Sequence, residues 1–218
     1  LVINHNMRFH PSFRRLRDLL ADGGIGTLTS VAAQWPTGRL GNVGTHMIDA
    51  VQMVTGLSVT GVSGTLDTSA RPDCRGDAFD DPGGWGVLRL GRQLPPSGSG
   101  PAGDLHCVID AADYGATPPR LRFHGTDGHA VCRGREVTIV RGTETETWPN
   151  RYPESGMDRA VREAVQWLDG LGPFPYDARQ AVRTLEAIAA FHLSHARGGL
   201  RLDVPLSGPD RHHILHSG

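Results

Sequence analysis

The stretch GNVGTHMIDAVQMVTG, residues 41–56, is a glycine-rich loop that leads straight into a helical pattern of apolar residues. The pattern predicts a helix over residues 45–55 that stops at Gly56, and it places His46 in the first helical turn. Because the N-terminus of a helix carries partial positive charge, it disfavours imidazolium, and His46 is expected to be neutral near pH 7. A neutral imidazole can accept a proton or donate its N–H to a substrate oxygen.

Two neighbours of His46 extend this candidate site. Asp49 lies one helical turn further on and could orient the ring, although its charge would oppose the helix end in setting the pKa of His46. Asn42 precedes His46 by four residues and could lie beside it as a hydrogen-bond donor or acceptor. From the local pattern alone another interpretation stays open, in which His46 is a partly buried capping residue and Asp49 is a solvated carboxylate.

A second polar stretch, NHNMRFHP at residues 4–11, follows a short apolar run that is predicted to be a buried strand. Open α/β sheets bind ligands at strand ends, so Asn6 and Arg8 are candidates for lining a cleft. Arg8 could clamp an anion or a carbonyl group, and a surface ion pair is the alternative.

The rest of the pattern predicts an α+β fold. Strands are predicted at residues 25–34, 59–66, 86–90, 105–111, 120–123, 129–132, 137–141 and 200–206. A helix is predicted over residues 12–22, and residues 91–104 form a low-complexity hairpin insertion. Consecutive strands in the middle of the chain imply an open, mainly antiparallel sheet with helices on one face.

Two further helices are predicted near the end of the chain. Ser155 and Asp177 each begin a capping-box pattern that opens a helix. Five apolar residues of the first of these helices fall on one face: Met157, Val161, Ala164, Val165 and Leu168.

The composition excludes several chemistries. All 22 basic residues are arginine, so a P-loop phosphate site, Schiff-base chemistry and a lysine acid or base are absent from this chain. The net charge of −1 argues against non-specific nucleic-acid binding. No run approaches the roughly 18 apolar residues of a membrane helix, no signal peptide is visible, and the 3 cysteines form no CxxC pair. We therefore expect a cytoplasmic protein with reduced thiols and no membrane partner.

Metal, hydrolase and dinucleotide sites find little support. His192 and His195 lie three residues apart, but no HExxH pattern accompanies them and His192 falls on an apolar stripe, so no metal site is predicted. No GxSxG pattern is present. The G-x-G-x-x-G run at residues 98–103 lies in the low-complexity insertion and not between a strand and a helix, so it is not expected to wrap a dinucleotide pyrophosphate. Trp35 and Tyr152 are candidate ligand-stacking aromatics, with core or surface packing as the alternative.

Four segments, in order, resemble the glucose–fructose oxidoreductase, inositol dehydrogenase and rhizopine-catabolism family, called Gfo/Idh/MocA. The segments are VINHNMRFHPSFRRLRDLLADGGIGTLTSV (residues 2–31), GNVGTHMIDAVQMVTG (41–56), LRFHGTDGHAVCRG (121–134) and LEAIAAFHLSHARGGLRLDVPL (185–206). The first is similar to the family's last nucleotide-domain strand, its Arg-Phe-x-Pro turn and its crossover helix. The others are similar to its Gly-rich loop with a His-x-x-Asp helix, its Gly-Thr-x-Gly hairpin, and its closing helix and strand.

The resemblance implies an N-terminal Rossmann domain that binds NAD or NADP. It implies a following open-sheet domain that forms part of the substrate site and, on its other face, often the oligomer interface. The implied reaction is hydride transfer at a carbon of a sugar or cyclitol. By resemblance, His46 matches the active-site histidine, Asp49 matches a residue that orients it, and Asn6 and Arg8 match the turn near the nicotinamide.

The chain departs from the family's pattern in two ways. Asn42 stands where members often carry a carboxylate, and an amide can hydrogen-bond a hydroxyl but cannot take its proton. The nucleotide-binding glycines and a Glu-Lys-Pro segment, whose lysine sits at the family's active site, belong upstream of Leu1. The chain is therefore expected to be the downstream part of a longer protein.

Together these observations predict a remnant of a Rossmann domain at residues 1–24, a substrate and oligomerisation domain at residues 25–206, and a flexible tail at residues 207–218. The leading hypothesis is part of an NAD(P)-dependent oxidoreductase that acts on a sugar, cyclitol or related polyol and forms a homo-oligomer through the open sheet face. Its predicted substrate-binding residues are Asn42, Asp49, Trp35 and Tyr152. The alternative is a non-catalytic binding or scaffold protein that keeps the sheet for oligomerisation, and a metal-dependent hydrolase is a weaker third hypothesis.

Overall fold

The fold comes from a computed structural model, which describes residues 3–67, 72–73, 76–91, 105–113, 115, 117–149, 151–173, 176 and 178–215. The α-helices in these residues are α1 (Pro11–Ala21), α2 (Thr45–Thr55), α3 (Gly156–Leu168) and α4 (Ala178–Ala196). A π-helical turn, Leu40–Gly44, runs into α2, and 3-10 helices lie at Asn6–Phe9 and Gly208–His212. None of the described helices is both long and apolar enough to cross a bilayer.

Among the described residues, one strand lies between α1 and α2, nine strands follow one another between α2 and α3, and one strand follows α4. They are β1 (Leu28–Gln34), β2 (Ser58–Leu66), β3 (Pro72–Asp73), β4 (Gly76–Asp80), β5 (Gly84–Gly91), β6 (Leu105–Asp110), β7 (Arg120–Gly125), β8 (His129–Arg133), β9 (Glu136–Arg141), β10 (Glu144–Trp148) and β11 (Leu202–Asp203).

Nine of the described strands form one open sheet in the order β10–β9–β8–β7–β1–β6–β5–β2–β11. β1 runs parallel to β6, and every other neighbouring pair is antiparallel. The predicted α+β class, with an open and mainly antiparallel sheet, is confirmed. The insertion of β1 between β6 and β7 places the beginning of α2, which follows β1, close to the centre of the sheet.

Local sequence signals set the helix ends. α2 ends at Gly56, whose φ of 68° is left-handed, as the glycine predicts. α3 begins at the predicted capping box, in which the Asp158 backbone N–H donates to Ser155 Oγ and the Ser155 N–H donates to the Asp158 carboxylate. α1 begins one residue earlier than predicted, because Pro11 occupies its first turn and His10 Nδ1 caps it.

The core lies between the helices and one face of the sheet. Alternate residues of β6 are buried, and the residues between them face away from the helices. α4 crosses β2 and β5, and the Phe191 ring lies over strand glycines so closely that a Cβ at Gly64 would come within 2.4 Å of it. Glycine at this strand position is therefore required by the close approach of the helix.

Replacing Gly64 by alanine is expected to lower the free energy of unfolding by about 1–3 kcal/mol, because the new methyl group must displace the Phe191 ring. Chemical denaturation followed by circular dichroism measures the change. Gly61→Ala in the same strand is the matched control, since its Cβ would meet nothing closer than 3.4 Å. Equal losses in the two variants would contradict the assigned packing of α4.

Some predicted elements differ from the structure. β11 is shorter than the predicted strand, and β10 was not predicted because its surface is polar and it offers no apolar alternation. The apolar face of α3 has the predicted helical periodicity, but it is exposed to solvent in this chain. Residues 208–212 of the predicted tail form a 3-10 helix, and Asp210 pairs with Arg197 at the end of α4.

Other predictions fall wholly or partly on residues outside the described ranges. They concern Leu1–Val2 of the first predicted strand, residues 92–104 of the insertion and Asp177 of the second capping box.

Candidate active site

The loop before α2 is held in place by a buried carboxylate. Asp81 is fully buried, and its two oxygens accept hydrogen bonds from the backbone N–H groups of Gly41 (2.6 Å) and Asn42 (2.8 Å). At the end of the loop, Gly44 packs so tightly that an added Cβ would lie 3.0 Å from the Trp35 indole. These contacts fix the direction in which α2 begins, and with it the position of the His46 side chain.

The centre of the site is a buried ion pair. Arg8 Nε donates to Asp49 Oδ2 at 2.7 Å and Arg8 Nη2 donates to Asp49 Oδ1 at 2.8 Å. The Asp49 side chain is 0% exposed and that of Arg8 is 11% exposed. Such a two-pronged pair fixes both side chains in orientation as well as charge. The two residues are 41 positions apart in the sequence, and the 3-10 helix Asn6–Phe9 brings them together.

Two histidines flank this ion pair. The His5 and His46 rings meet edge to face with their centroids 5.0 Å apart, and His5 Nδ1 lies 4.0 Å from Asp49 Oδ2. The Nδ1 atoms of both rings are buried, and neither has a hydrogen-bond partner among the described residues. Buried imidazole nitrogens of this kind are uncommon in folded proteins, where such groups are nearly always hydrogen-bonded.

Burial lowers the pKa of His46 below its usual 6.5, and the nearby Asp49 carboxylate acts in the opposite direction. Because the π-helical turn Leu40–Gly44 continues directly into α2, His46 does not sit at a free helix end. Desolvation, rather than the helix dipole invoked from the sequence, is therefore the main cause of its neutral form.

Tyr176 completes the cluster and was not singled out from the sequence. Its side chain is buried, the Arg8 guanidinium lies 4.1 Å from its ring centroid, and its ring meets that of His5 at 5.5 Å. Burial, followed by the charge of Asp49, raises the pKa of the Tyr176 hydroxyl. No periodic pattern marks this residue, because it precedes α4 in a proline-rich stretch and its role depends on contacts distant in sequence.

The structure brings only some of the predicted site residues together. His46, Asp49 and Arg8 form one cluster, and Asn42 lies exposed in the loop just before it. Trp35 is 0% exposed in the core and offers no face to a ligand in this chain.

Asn6 belongs to the same 3-10 helix as Arg8, whereas Tyr152 contacts residues at the start of α1. Tyr152 packs against His10 and shares a contact with the Ser12 hydroxyl. The carbonyl of Asn6 faces Gly156 at the start of α3.

The remaining histidines form no metal-binding group among the described residues. In the part of the chain that the structure describes, no three His, Cys, Asp or Glu side chains lie together as a metal would need. His195 Nδ1 accepts a hydrogen bond from the Leu66 backbone N–H, which ties α4 to β2. Burial lowers the pKa of His192 to about 4, with smaller effects from His213 and His195.

Comparisons with known proteins support the fold. No family model matches the chain, and no curated protein matches it. Solved oxidoreductase structures do match. An oxidoreductase domain protein from Kribbella flavida is 20% identical with a TM-score of 0.71, over 93% of this chain and 65% of that one.

Two structures that hold ligands match over a similar extent. An inositol dehydrogenase homolog from Azotobacter vinelandii, complexed with NADH and myo-inositol, is 14% identical with a TM-score of 0.68, over 92% of this chain and 63% of that one. A levoglucosan dehydrogenase complexed with NADH and levoglucosan is 16% identical with a TM-score of 0.66, over 93% and 65%.

The chain thus spans less than two thirds of the length of these structures. At these identities the likeness concerns the fold alone. The resemblance to oxidoreductases of the Gfo/Idh/MocA type, indicated by four sequence motifs, is confirmed at that level.

Proposed function

We propose that this chain is the substrate-binding and oligomerisation part of an NAD(P)-dependent oxidoreductase that acts on a sugar, cyclitol or related polyol by hydride transfer. The observation that carries the proposal is the His46 site, in which a neutral imidazole lies beside a buried ion pair. The fold around it is shared with solved structures that hold NADH together with myo-inositol or levoglucosan.

His46 is the proposed catalytic residue. Oxidation of an alcohol carbon releases the hydroxyl proton, and a neutral imidazole can accept it. Nδ1 of His46 is buried, which leaves Nε2 as the nitrogen for a substrate hydroxyl. When the ring becomes charged, the Asp49 carboxylate stabilises it, and Arg8 holds that carboxylate in one position. Asn42 cannot accept a proton, so it is assigned at most a hydrogen bond to substrate.

The residues present do not fit a whole dinucleotide. Arg8, predicted to approach the nicotinamide, uses Nε and Nη2 on Asp49 and stacks on Tyr176. The sequence has no G-x-G-x-x-G pattern between a strand and a helix for the pyrophosphate. The cofactor, when bound to a complete enzyme, would accept the hydride, and a separate nucleotide-binding domain would hold it.

The exposed face of α3 supports such a domain. Met157, Val161, Val165, Leu168 and the following Leu171 are between 48% and 74% exposed. An apolar face of this size on one helix is typical of a surface that another domain covers. It begins beside the first described residues, where the Asn4 amide lies 3.1 Å from the Met157 sulfur.

Other charges on and around α3 are already paired within this chain. Arg159 and Arg162 contact Glu154, and Arg14 binds Glu163. The apolar face is therefore the part of α3 left for a partner. We infer that the nucleotide domain packs there, with residues 1–24 as its last elements.

The opposite face of the sheet supports the proposed homo-oligomer. Val87 of β5 and Val108 of β6 are directly paired and exposed, and Trp85 lies next to them on the same face. Adjacent apolar side chains on an uncovered sheet are typical of an interface between subunits.

The second candidate is a non-catalytic binding or scaffold protein, which Asn42 in place of a carboxylate favours. The two candidates make different predictions about the native coding sequence upstream of Leu1. A glycine-rich turn between a strand and a helix, followed by a Glu-Lys-Pro segment, would support the enzyme. A different type of sequence there would support the scaffold.

The proposal predicts that the 218-residue chain alone does not bind NAD(H) at micromolar concentration, whereas the polypeptide that includes a nucleotide domain does. Calorimetric titration of both forms with NAD+ and NADH measures this directly. Micromolar binding by the 218-residue chain would contradict the assignment of the dinucleotide to a separate domain, and no binding by the longer polypeptide would favour the scaffold.

A further inference from the structure

We propose that His5 is a second proton-holding residue of the His46 site, coupled to His46 through the shared charge of Asp49, so that the two rings hold at most one proton between them. The proposal rests on the proposed function for its catalytic meaning. Its physical content, a coupled pair of imidazoles, concerns this chain alone.

The His5 side chain is packed inside the site, and the residue is 6% exposed. Its ring meets His46 at 5.0 Å and Tyr176 at 5.5 Å, and its Nδ1 lies 4.0 Å from Asp49 Oδ2. His5 is thus enclosed by members of the site on three sides. Arg8, three residues further along the chain, donates to the same carboxylate from another direction.

The two histidine rings of the cluster have unused hydrogen-bonding capacity. Leaving a buried polar atom without a partner destabilises the folded state, so such atoms call for an explanation. Both Nδ1 atoms are in this state among the described residues, and both rings lie near one carboxylate. A protonated His5 would gain an ion pair with Asp49 at the separation already present.

The charges around His5 limit how many protons the two rings can hold. The titratable and charged groups that face His5 are Arg8 on its own segment, His46 and Asp49 on α2, and Tyr176 before α4. Burial lowers the pKa of His5 most, Asp49 raises it, and His46 and Arg8 lower it further. Arg8 already balances Asp49, so a second and a third positive charge cannot both be accommodated without repulsion.

The consequence for the site is a division of roles. While His5 stays neutral, the charge of Asp49 remains available to stabilise the imidazolium that forms on His46 when it accepts a proton. A proton on His5 would pair with the Asp49 carboxylate and repel a second proton, so that His46 would stay neutral. His5 is therefore a positioning residue, since it acts on the reaction through His46 and Asp49.

Imidazole nitrogen NMR of the 218-residue chain as a function of pH tests the proposal. Coupled rings titrate in two macroscopic steps, and the chemical shifts of both rings report both steps. We expect this biphasic behaviour in the unmodified chain, with the second step at least tenfold weaker in proton affinity than the first. Independent single-step curves for the two rings would overturn the proposal.

Variants give a second readout. His46→Gln is expected to raise the pKa of His5 because it removes the ring whose protonation would repel a proton on His5, and His5→Gln is expected to leave a single titration step on His46. His212→Gln is the matched control, since His212 lies exposed in the 3-10 helix Gly208–His212. An unchanged His5 titration in folded His46→Gln would refute the coupling.

The proposal and the proposed function can fail separately. Coupled rings in a chain that never supports hydride transfer would retain the proposal and remove its catalytic meaning. Uncoupled rings in an active enzyme would remove the role of His5 alone.

Discussion

Replacing Asp49 by leucine is expected to lower the free energy of unfolding of the chain by about 3–5 kcal/mol, the usual cost of removing one partner of a buried ion pair. The Arg8 side chain is 11% exposed and makes two hydrogen bonds to Asp49. Without the carboxylate its charge stays buried and uncompensated, next to two rings that resist protonation. Urea denaturation of wild type and variant, followed by circular dichroism, measures the loss.

Two controls separate the ion pair from other effects of the substitution. The double variant Arg8→Met/Asp49→Leu leaves no unpaired charge and is expected to recover most of the lost stability. Asp18→Leu removes one partner of the exposed Arg17–Asp18 pair and is expected to cost about 1 kcal/mol or less. A double variant no more stable than Asp49→Leu would contradict the account of an uncompensated charge.

Replacing His46 by alanine is expected to lower kcat by roughly 10²-fold or more in the polypeptide that includes a nucleotide domain. The proposed role of His46 is to accept the hydroxyl proton. Asn42 cannot accept that proton, and the chain contains no lysine that could do so. Cofactor binding is expected to persist, because the dinucleotide is assigned to the other domain. Steady-state kinetics that separate kcat from the KM for the polyol and for NAD+ measure the effect.

His212→Ala is the control for the kinetic experiment. It also removes an imidazole, but His212 lies exposed in the 3-10 helix Gly208–His212. A folded His46→Ala enzyme with a rate within a few-fold of wild type would move the assignment to the binding or scaffold protein.

Local signals predicted much of the fold. Helix ends at Gly56 and Ser155 depend on residues within one turn, and the structure has both. The parallel pairing of β1 with β6 was not predictable in the same way, because it joins strands about 75 residues apart. The direction of the apolar face of α3 was not predictable either. Periodicity places such residues on one side of a helix but does not say whether this chain or another covers them.

The candidate site also combines features that follow from local sequence with features that depend on contacts between distant residues. The spacing of His46 and Asp49 on one helix puts them together in any fold that keeps the helix. The Arg8–Asp49 ion pair, His5 and Tyr176 enter only through tertiary contacts. For Trp35 the sequence left two roles open, because an aromatic residue in a glycine-rich region can bind a ligand or pack in the core. The structure buries it completely, and it packs against Gly44.

The most direct measurement of the central claim is NAD(P)+-dependent oxidation of a panel of sugars and cyclitols, myo-inositol and levoglucosan included, by the polypeptide that joins this chain to a nucleotide domain. The account predicts that reduced cofactor accumulates with at least one such alcohol and that His46→Ala suppresses this accumulation by roughly 10²-fold or more. Calorimetric cofactor binding without reduction by any member of the panel would contradict it.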